Sequence, residues 1–478
     1  MRCASLILLL LAFGCERPCP PPASQPASRP AHAQDKPLEP VAVRPFALGE
    51  PELVLLITGA TLGRMEVCNC SGPMPGGLSR RSGLFASYRQ AHRAVAAIDT
   101  GDAFWLNPQD LRNRYMLPAY QLLDYHAVVL GDHEWRARQQ LGDMLRAAPV
   151  KCLSTNVRAE GLDLPSAAVI PAGARKLAVL SFVGPGALSF MPEEERAQLT
   201  ILDVARVDEQ AAGLKAEGCA VLLVAHVDEW ELAGLKSLRN VDIIIRGHTS
   251  QSEDKPERLG AMPVIRVGSP EFVGVLALKL GDGRIAAWEY RAEIVDTSWP
   301  LDRRLMNVYQ AYAHEALRQA LDADKKLGLY YVSSATCGKC HVQQYQAWQQ
   351  DKHSRAWKTL VDNDRTYDPS CVMCHTSGFG TAEGFRSPRE TPALSNINCM
   401  DCHRLDFQAG RHRGKPDKTV KEDTCTICHT PVNSPAFEYD KYRPHVGCVW
   451  SRTGPKPTTG PAKTTTTRFV DRPVPSRE

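Results

Sequence analysis

The sequence predicts an α/β sandwich followed by a smaller, mostly helical and irregular domain. Three observations predict this division. Between residues 51 and 298, short apolar runs rich in leucine and β-branched residues alternate with amphipathic stretches, the pattern of buried strands covered by helices. Beyond residue 330 the alternation stops, and cysteine and histidine concentrate instead. Between the two, residues 301–326 contain neither glycine nor proline, as one uninterrupted helix requires.

In chain order, Met1-Arg2, the apolar run Leu6–Leu11 and Ala12-Phe13-Gly14-Cys15 read as an export signal over residues 1–15. The small residue before Cys15 resembles a lipoprotein processing box, which makes Cys15 the expected site of lipid anchoring. The alternative is an ordinary signal peptide cut nearby, with Cys15 and Cys19 oxidised. Either reading places the chain outside the cytoplasm, in the periplasm. The run Leu6–Phe13 is far shorter than the ~20 residues of a membrane-spanning helix. Residues 16–50, rich in proline, alanine and serine, form an extended tether.

Leu53–Ile57, Ala94–Ile98, His126–Leu130, Leu177–Val183, Ala220–Ala225, Val241–Ile245 and Val264–Val267 are the expected strands, and Leu78–Arg89 and Arg114–Leu123 two of the covering helices. Each strand ends in glycine, aspartate or histidine, at the strand exits where such folds place their sites. Residues 299–329 form the connector, with Leu301, Leu305, Val308, Tyr312, Leu317 and Leu321 on its apolar face. His314 on this helix reads as a surface residue. Residues 330–450 form the second domain, and 451–478 a basic Thr/Pro-rich tail.

The net charge is +4, from 57 Lys+Arg against 53 Asp+Glu. The tail alone holds six basic and two acidic residues, so the rest of the chain is neutral. That distribution argues against nucleic-acid binding, which calls for a basic face on a folded domain. A hydrophobic fraction of 43% with 23% charged residues excludes wholesale disorder.

Cys-x-x-Cys-His occurs four times: Cys337/Cys340/His341, Cys371/Cys374/His375, Cys399/Cys402/His403 and Cys425/Cys428/His429. Composition alone predicts roughly 0.015 matches. Three residues apart on a helical turn, two sulfurs share one face and can bond the two vinyl groups of one porphyrin, while the histidine that follows meets the iron. Four covalently bound haem c groups account for all twelve residues. Zinc could use paired cysteines, but neither zinc nor disulfides require a histidine after every second cysteine. The porphyrins also supply the apolar bulk that some 120 residues poor in aliphatic side chains lack. Motif starts 34, 28 and 26 residues apart keep neighbouring haems close, as electron conduction needs. His353, His412 and His445 are the candidate second axial ligands, three for four haems, so one iron is open, takes another ligand or borrows a histidine such as His314. Arg404, Arg411, Arg413, Lys415, Lys418 and Lys421 read as counter-charges for propionates, or as a docking patch for an acidic redox partner.

These residues resemble the tetrahaem cytochromes that accept electrons from hydroxylamine oxidoreductase. The resemblance rests on Cys337-Gly-Lys-Cys-His341, Gln346-Ala-Trp348, Lys352-His353-Ser-Arg-Ala356, Cys399-Met-Asp-Cys-His403 and His412 nine residues on. It implies an axial role for His353. Arg404-Leu-Asp406 stands where that family has Gly-Pro-Gly.

Residues 51–298 resemble the metallophosphoesterase domain of 5′-nucleotidases, through Gly76-Gly-Leu-Ser-Arg-Arg81, Asp99-Thr-Gly-Asp102, Gly131-Asp-His-Glu134, Ala225-His226 and Gly247-His248-Thr249. The resemblance implies two metal ions that activate a water between them. Asp102 is then the bridging carboxylate, Asp132 stands where asparagine is usual, His226 and His248 complete one ion's ligands, and His133 steadies the phosphate. The other ion lacks its ligands: the family's Asp-x-His aligns with Ala60-Thr61-Leu62, and its closing histidine with Ser250. One divalent ion at most is expected, or an empty binding platform. Cys68 and Cys70 could serve a soft metal or a substrate there, or pair in disulfides with Cys152 or Cys219.

The expectation is a periplasmic, membrane-anchored tetrahaem c-type cytochrome that exchanges electrons with other redox proteins, fused to a degenerate metallophosphoesterase-like domain. The alternatives are a redox enzyme acting on a small molecule at an open haem or in the front pocket, and a phosphoesterase with a cytochrome appendage, in which His133 would be catalytic. Hydrolysis is the least favoured.

Overall fold

The computed structural model describes residues 38–67, 74–323, 331–381, 383–403, 406–408, 411–413, 420–431 and 433–446, with backbone alone at 321–323, 406–408 and 411–413. The expected export signal, Cys15, most of the tether, Cys68, Cys70 and the basic tail lie outside these residues, as do Arg404, Lys415 and Lys418.

All seven strands expected from the apolar runs are present, shifted by no more than two residues at either end. They fall into two six-stranded sheets. The first runs Ile285–Ile294, Phe272–Leu280, Leu53–Thr58, Val95–Asp99, Ala127–Val129, Cys152–Leu153. Its last four strands are parallel and its first two antiparallel. The second runs Glu257–Leu259, Met262–Arg266, Ile243–Gly247, Cys219–His226, Arg175–Val183, Ala168–Ala172, parallel in the middle and antiparallel at both edges.

Side-chain alternation builds four layers from these sheets. Leu53, Leu55 and Ile57 point into a core shared with Leu177, Val179, Leu222, Val224, Ile243 and Ile245 of the other sheet. Val54 and Leu56, on the opposite face, pack against Leu84, Phe85 and Tyr120 of the helices Leu78–Ala91 and Leu111–Leu123. Leu180, Val221, Leu223 and Ile244 likewise pack on Val207 and Ala211 of the helix Val204–Ala216. Strands buried on both faces have no polar side to show, which explains their unbroken apolar runs.

The connector is the helix Arg303–Ala323. Asp302 starts it, accepting from Arg304 N at 2.9 Å and from Ser82 Oγ at 2.7 Å, so its first turn is tied to the helix Leu78–Ala91. Its buried stripe is Leu305, Tyr309 and Ala313, one turn per step, and His314, though exposed, has its ring 5.2 Å from that of Tyr367.

Past the connector the helices are short, from Ser334–Gly338 to Tyr439–Tyr442. Their apolar core among the described residues consists of Leu360, Val372, Phe385 and Leu394, too small to hold such a domain together unaided. The domain is nevertheless fastened to the front half. Tyr367 joins the same apolar cluster as Tyr309 and Ala313, and the Tyr309 hydroxyl donates to Asp368. Asp368 caps the helix Pro369–His375, accepting from Ser370 N at 3.0 Å. No helix of the described residues is long and apolar enough to cross a membrane.

Candidate metal and haem-attachment sites

Four strand exits meet at one end of the sandwich. Asp102 and Asp132 follow Val95–Asp99 and Ala127–Val129 of the first sheet, and His226 and His248 end Cys219–His226 and follow Ile243–Gly247 of the second. One sheet therefore supplies carboxylates and the other imidazoles. The turns come this close because two glycines allow it. A Cβ on Gly131 would lie 2.3 Å from Asp102 Oδ1, and one on Gly101 2.8 Å from Gly131 N. Asp102 and His248 both sit in left-handed backbone, at φ 57° and 52°, a strain that persists only where surrounding structure imposes it.

Ligand atoms of the four residues lie within 4.8 Å of one another. His226 Nδ1 is 3.0 Å from Thr100 O, so it carries the proton. Nε2 is left facing Asp132 Oδ1 at 3.2 Å and Asp102 Oδ1 at 3.4 Å. His248 turns the other way: Nδ1 lies 3.3 Å from Asp132 Oδ1 and 3.6 Å from Asp102 Oδ2, and Nε2 lies 3.4 Å from Asp228 Oδ1. Asp102 Oδ1 is buried without a hydrogen-bond partner, the condition of an oxygen shaped for a cation. The donor set of two imidazoles and two carboxylates fits a first-row transition ion.

The electrostatics match. Burial opposes ionisation of Asp132, yet hydrogen bonds from His226 and His248 hold its carboxyl far below the usual range. Hydrogen bonds to Asp102 and Asp132 raise His248 to about 10. Glu134, pushed up to about 7 by burial and then by the Asp102 charge, accepts from the backbone N–H of Gly131 (2.8 Å), Asp102 (3.0 Å) and Phe104 (2.7 Å). It thereby locks the two carboxylate turns together. His133 stands at the rim, Nδ1 2.8 Å from Phe104 O and Nε2 3.9 Å from Asp132 Oδ2.

The second ion's half of the site keeps its backbone and lacks its ligands. Ala60 and Leu62 occupy left-handed conformations (φ 48° and 52°), and their N–H groups bond to Gly101 O at 2.9 Å and Asp102 O at 2.8 Å. The turn survives; a methyl and an isobutyl group stand on it, and Ser250 is exposed. The disulfides drawn to Cys152 or Cys219 are not formed. Both thiols are free and buried, in separate apolar cores where burial suits a small apolar side chain.

The four Cys-x-x-Cys-His motifs share one local form. In each, the histidine lies one helical turn after the first cysteine: His341 N bonds Cys337 O at 2.8 Å, His403 N bonds Cys399 O at 2.8 Å, and His429 N bonds Cys425 O at 2.9 Å, while the second motif lies wholly on the helix Pro369–His375. His375 Nδ1 is 2.7 Å from Ala356 O and His429 Nδ1 3.2 Å from Ser434 Oγ, which leaves each Nε2 for iron.

None of the eight motif cysteines is in a disulfide, and several make contacts between motifs. Cys337 is half-buried, its thiol bonded to that of Cys399 in the third motif, whereas Cys340, past the end of Ser334–Gly338, is exposed. Cys402, the last residue of Cys399–Cys402, is half-buried. Cys374 and Cys428 bond in the same way between the second and fourth motifs, while Cys371 and Cys425 are half-buried. Thiols of different motifs thus meet, Cys337 with Cys399 and Cys374 with Cys428. The physical reason is packing between turns. Ser334 N bonds Asn398 Oδ1 at 2.8 Å and Ser334 Oγ accepts from Cys399 N at 3.0 Å, so the first and third motifs meet through their leading cysteines. Neighbouring attachment points are thereby brought together, which the spacing along the chain does not reveal.

His353 is brought to the fourth motif. Its ring stands at 87° to that of His429 with centroids 6.2 Å apart, and its Nδ1 is held by Asp351 Oδ1 at 2.7 Å. Phe437 stacks on the His429 ring at 4.6 Å. His412 lies on the strand Arg411–Arg413, opposite Phe407. His445 is exposed in the turn Arg443–His445; among the described residues no ring contact joins it to a motif histidine.

Residues 336–404 match the family described as cytochrome c554 and c-prime, a span that includes three motifs and His353. The front half is similar to the snake venom 5′-nucleotidases of Naja atra, 25% identical over 235 residues, and Crotalus adamanteus, 26% identical over 230 residues. These alignments cover 42% and 39% of this chain and the same shares of the relatives, so the chain spans about two fifths of their length. The chain joins a cytochrome c554-like region to a 5′-nucleotidase-like metallophosphoesterase domain. The fold agrees with that of the sulfate thiohydrolase SoxB of Thermus thermophilus, solved in complex with glycerol (TM-score 0.51, 18% identity, 61% of this chain and 63% of that one).

Sequence reasoning missed Asp228, Thr100 and Glu134, which orient the ligands. Thr100 and Glu134 contact their partners across 30 or more residues except at Gly131, so no local spacing marks them. Asp228, two residues after His226, is the one that proximity in sequence could have suggested.

Proposed function

We propose that the chain is an exported electron carrier with four haem c groups, and that its front domain holds one divalent ion rather than two. The observation that carries the carrier reading is the same one-turn Cys–His geometry found at all four motifs. Bound haem supplies one-electron chemistry. The residues' part is to hold and tune it: thiols for covalent attachment, and histidines, of which His353, His375 and His429 have Nδ1 already committed and Nε2 left to hold iron. His353 and His429 would hold the iron of one haem between them, with Asp351 and Ser434 setting their tautomers.

The single-ion reading rests on Asp102, Asp132, His226 and His248, with Ala60 and Leu62 unable to complete a second set. Without a second ion, the chain lacks the clamp that a two-ion hydrolase places on both reacting oxygens. Phosphoester hydrolysis is therefore not proposed, and His133 is left without a catalytic task. Other redox proteins are the partners of the carrier, the periplasm its compartment, and Cys15 its lipid anchor. A pyridine haemochrome assay with metal analysis on the mature protein tests the reading: four haems per chain and one further ion are expected, and fewer than four haems refutes the carrier as stated.

A further inference from the structure

The fourth motif is built from two short elements. The helix Glu422–Thr426 carries Cys425 and is followed by Ile427, Cys428 and His429. The helix Tyr439–Tyr442 is tied back to its start by the Tyr439 hydroxyl, which donates to Val420 O. Phe437 stacks on the His429 imidazole with centroids 4.6 Å apart, and Tyr442 lies 5.1 Å from Phe437 and 6.3 Å from His429. Aromatic contacts therefore lead from this haem-attaching histidine to Tyr442.

Tyr442 is 42% exposed, and Ile427, inside the motif, is 55% exposed. Exposed apolar side chains need no explanation when scattered singly, but mark contact sites when they gather. These two gather at His429: Ile427 stands two positions before it, and Tyr442 touches its ring.

The charges around the patch cancel. From Lys421 to Arg443 the chain carries three basic and four acidic residues, all of them exposed. Lys441 pairs with Glu438 at 2.5 Å, and Arg443 lies over the Tyr439 ring at 5.8 Å. Such a rim exerts little long-range pull on a strongly charged partner. An apolar centre inside a polar rim is the anatomy of an interface, and a small one suits the weak, short-lived complexes of electron-transfer proteins.

We propose that the fourth motif is the port where this chain exchanges electrons with a small redox protein, docked on Ile427 and Tyr442; this rests on the carrier reading above. The partner is one whose own cofactor lies beneath an apolar, weakly charged surface. In the outward direction one electron leaves the ferrous haem c of this motif, which becomes ferric, and reduces the partner's metal by one unit. No bond is made or broken.

The test uses the full-length protein with its haems, reduced and mixed by stopped flow with a blue-copper protein in the Cu(II) state. Ile427→Asp and Tyr442→Asp should each slow the second-order step about tenfold with haem spectra unchanged. Val342→Asp, beside the first motif and 51% exposed, should leave the rate as it is. Raising salt from low concentration to ~0.15 M should change the rate by less than about twofold. The same copper protein loaded with zinc, which accepts no electron, should bind in calorimetry, and the first two substitutions should weaken that binding by the same factor. Zinc-protein binding that is absent, or rates and binding that ignore Ile427→Asp and Tyr442→Asp, overturns the patch. An equal loss at Val342→Asp overturns its placement at the fourth motif, and a steep fall with salt overturns the weakly charged partner. Fewer than four haems in the parent protein refutes the carrier reading itself, a result separable from each of these.

Discussion

Replacing His353 with alanine should turn one haem of this protein from low to high spin. Two imidazoles bonded to one iron need metal–nitrogen bonds of about 2 Å each, and each ring centre lies about 1 Å beyond its nitrogen. The ring centres should therefore be roughly 6 Å apart, and those of His353 and His429 are 6.2 Å apart. Both rings hold their Nδ1 elsewhere, on Asp351 and Ser434, so their Nε2 atoms are left to bind. With the four haems proposed per chain, the substitution should remove about a quarter of the low-spin intensity and create an equal high-spin component that exogenous imidazole reverses. Visible absorption and paramagnetic resonance on the purified variant measure this. Asp351→Asn should give a smaller, partial change, because it loosens the ring without deleting it. Two altered haems, or an unchanged spectrum, would refute the axial pairing.

Four other outcomes follow from the geometry. Ala60→Asp with Leu62→His should allow a second ion to bind, since the turn beneath those positions keeps its left-handed backbone; metal content rising from one to two per chain is the readout. His133→Ala should leave phosphatase assays where they already stand, at background. Tyr309→Phe removes a hydrogen bond to a buried carboxylate and should destabilise the junction of the two halves by about 1.5–3 kcal/mol, read by denaturation followed by circular dichroism. Leu222→Ala, in the core between the sheets, should cost about 2–5 kcal/mol in the same assay without altering the haem spectra.

The sequence by itself determined seven of the strands, the connector and the four Cys-x-x-Cys-His motifs. Its strands are apolar on both faces because both faces are covered, so burial was written locally in Leu53–Ile57 or Ala220–Ala225. Its haem motifs are local too, since two thioethers and one imidazole must come from a single turn. The strands Phe272–Leu280 and Ile285–Ile294 went unread: in the outer one, half-buried Trp288 and Tyr290 alternate with Glu289 and Arg291, so the apolar run is broken.

Tertiary structure decided what depends on separate segments meeting. His353 and His429 are 76 positions apart, and nothing in either segment names the other. The meeting of the Cys337 and Cys399 thiols likewise follows from the third motif packing on the first. Asp228 acquires a role only because the exits of two neighbouring strands put it behind His248, and Cys152 and Cys219 stay unpaired because the sandwich buries them in different cores. Spacing along the chain records what one helical turn can do, whereas a ligand sphere records which turns the sheets bring together.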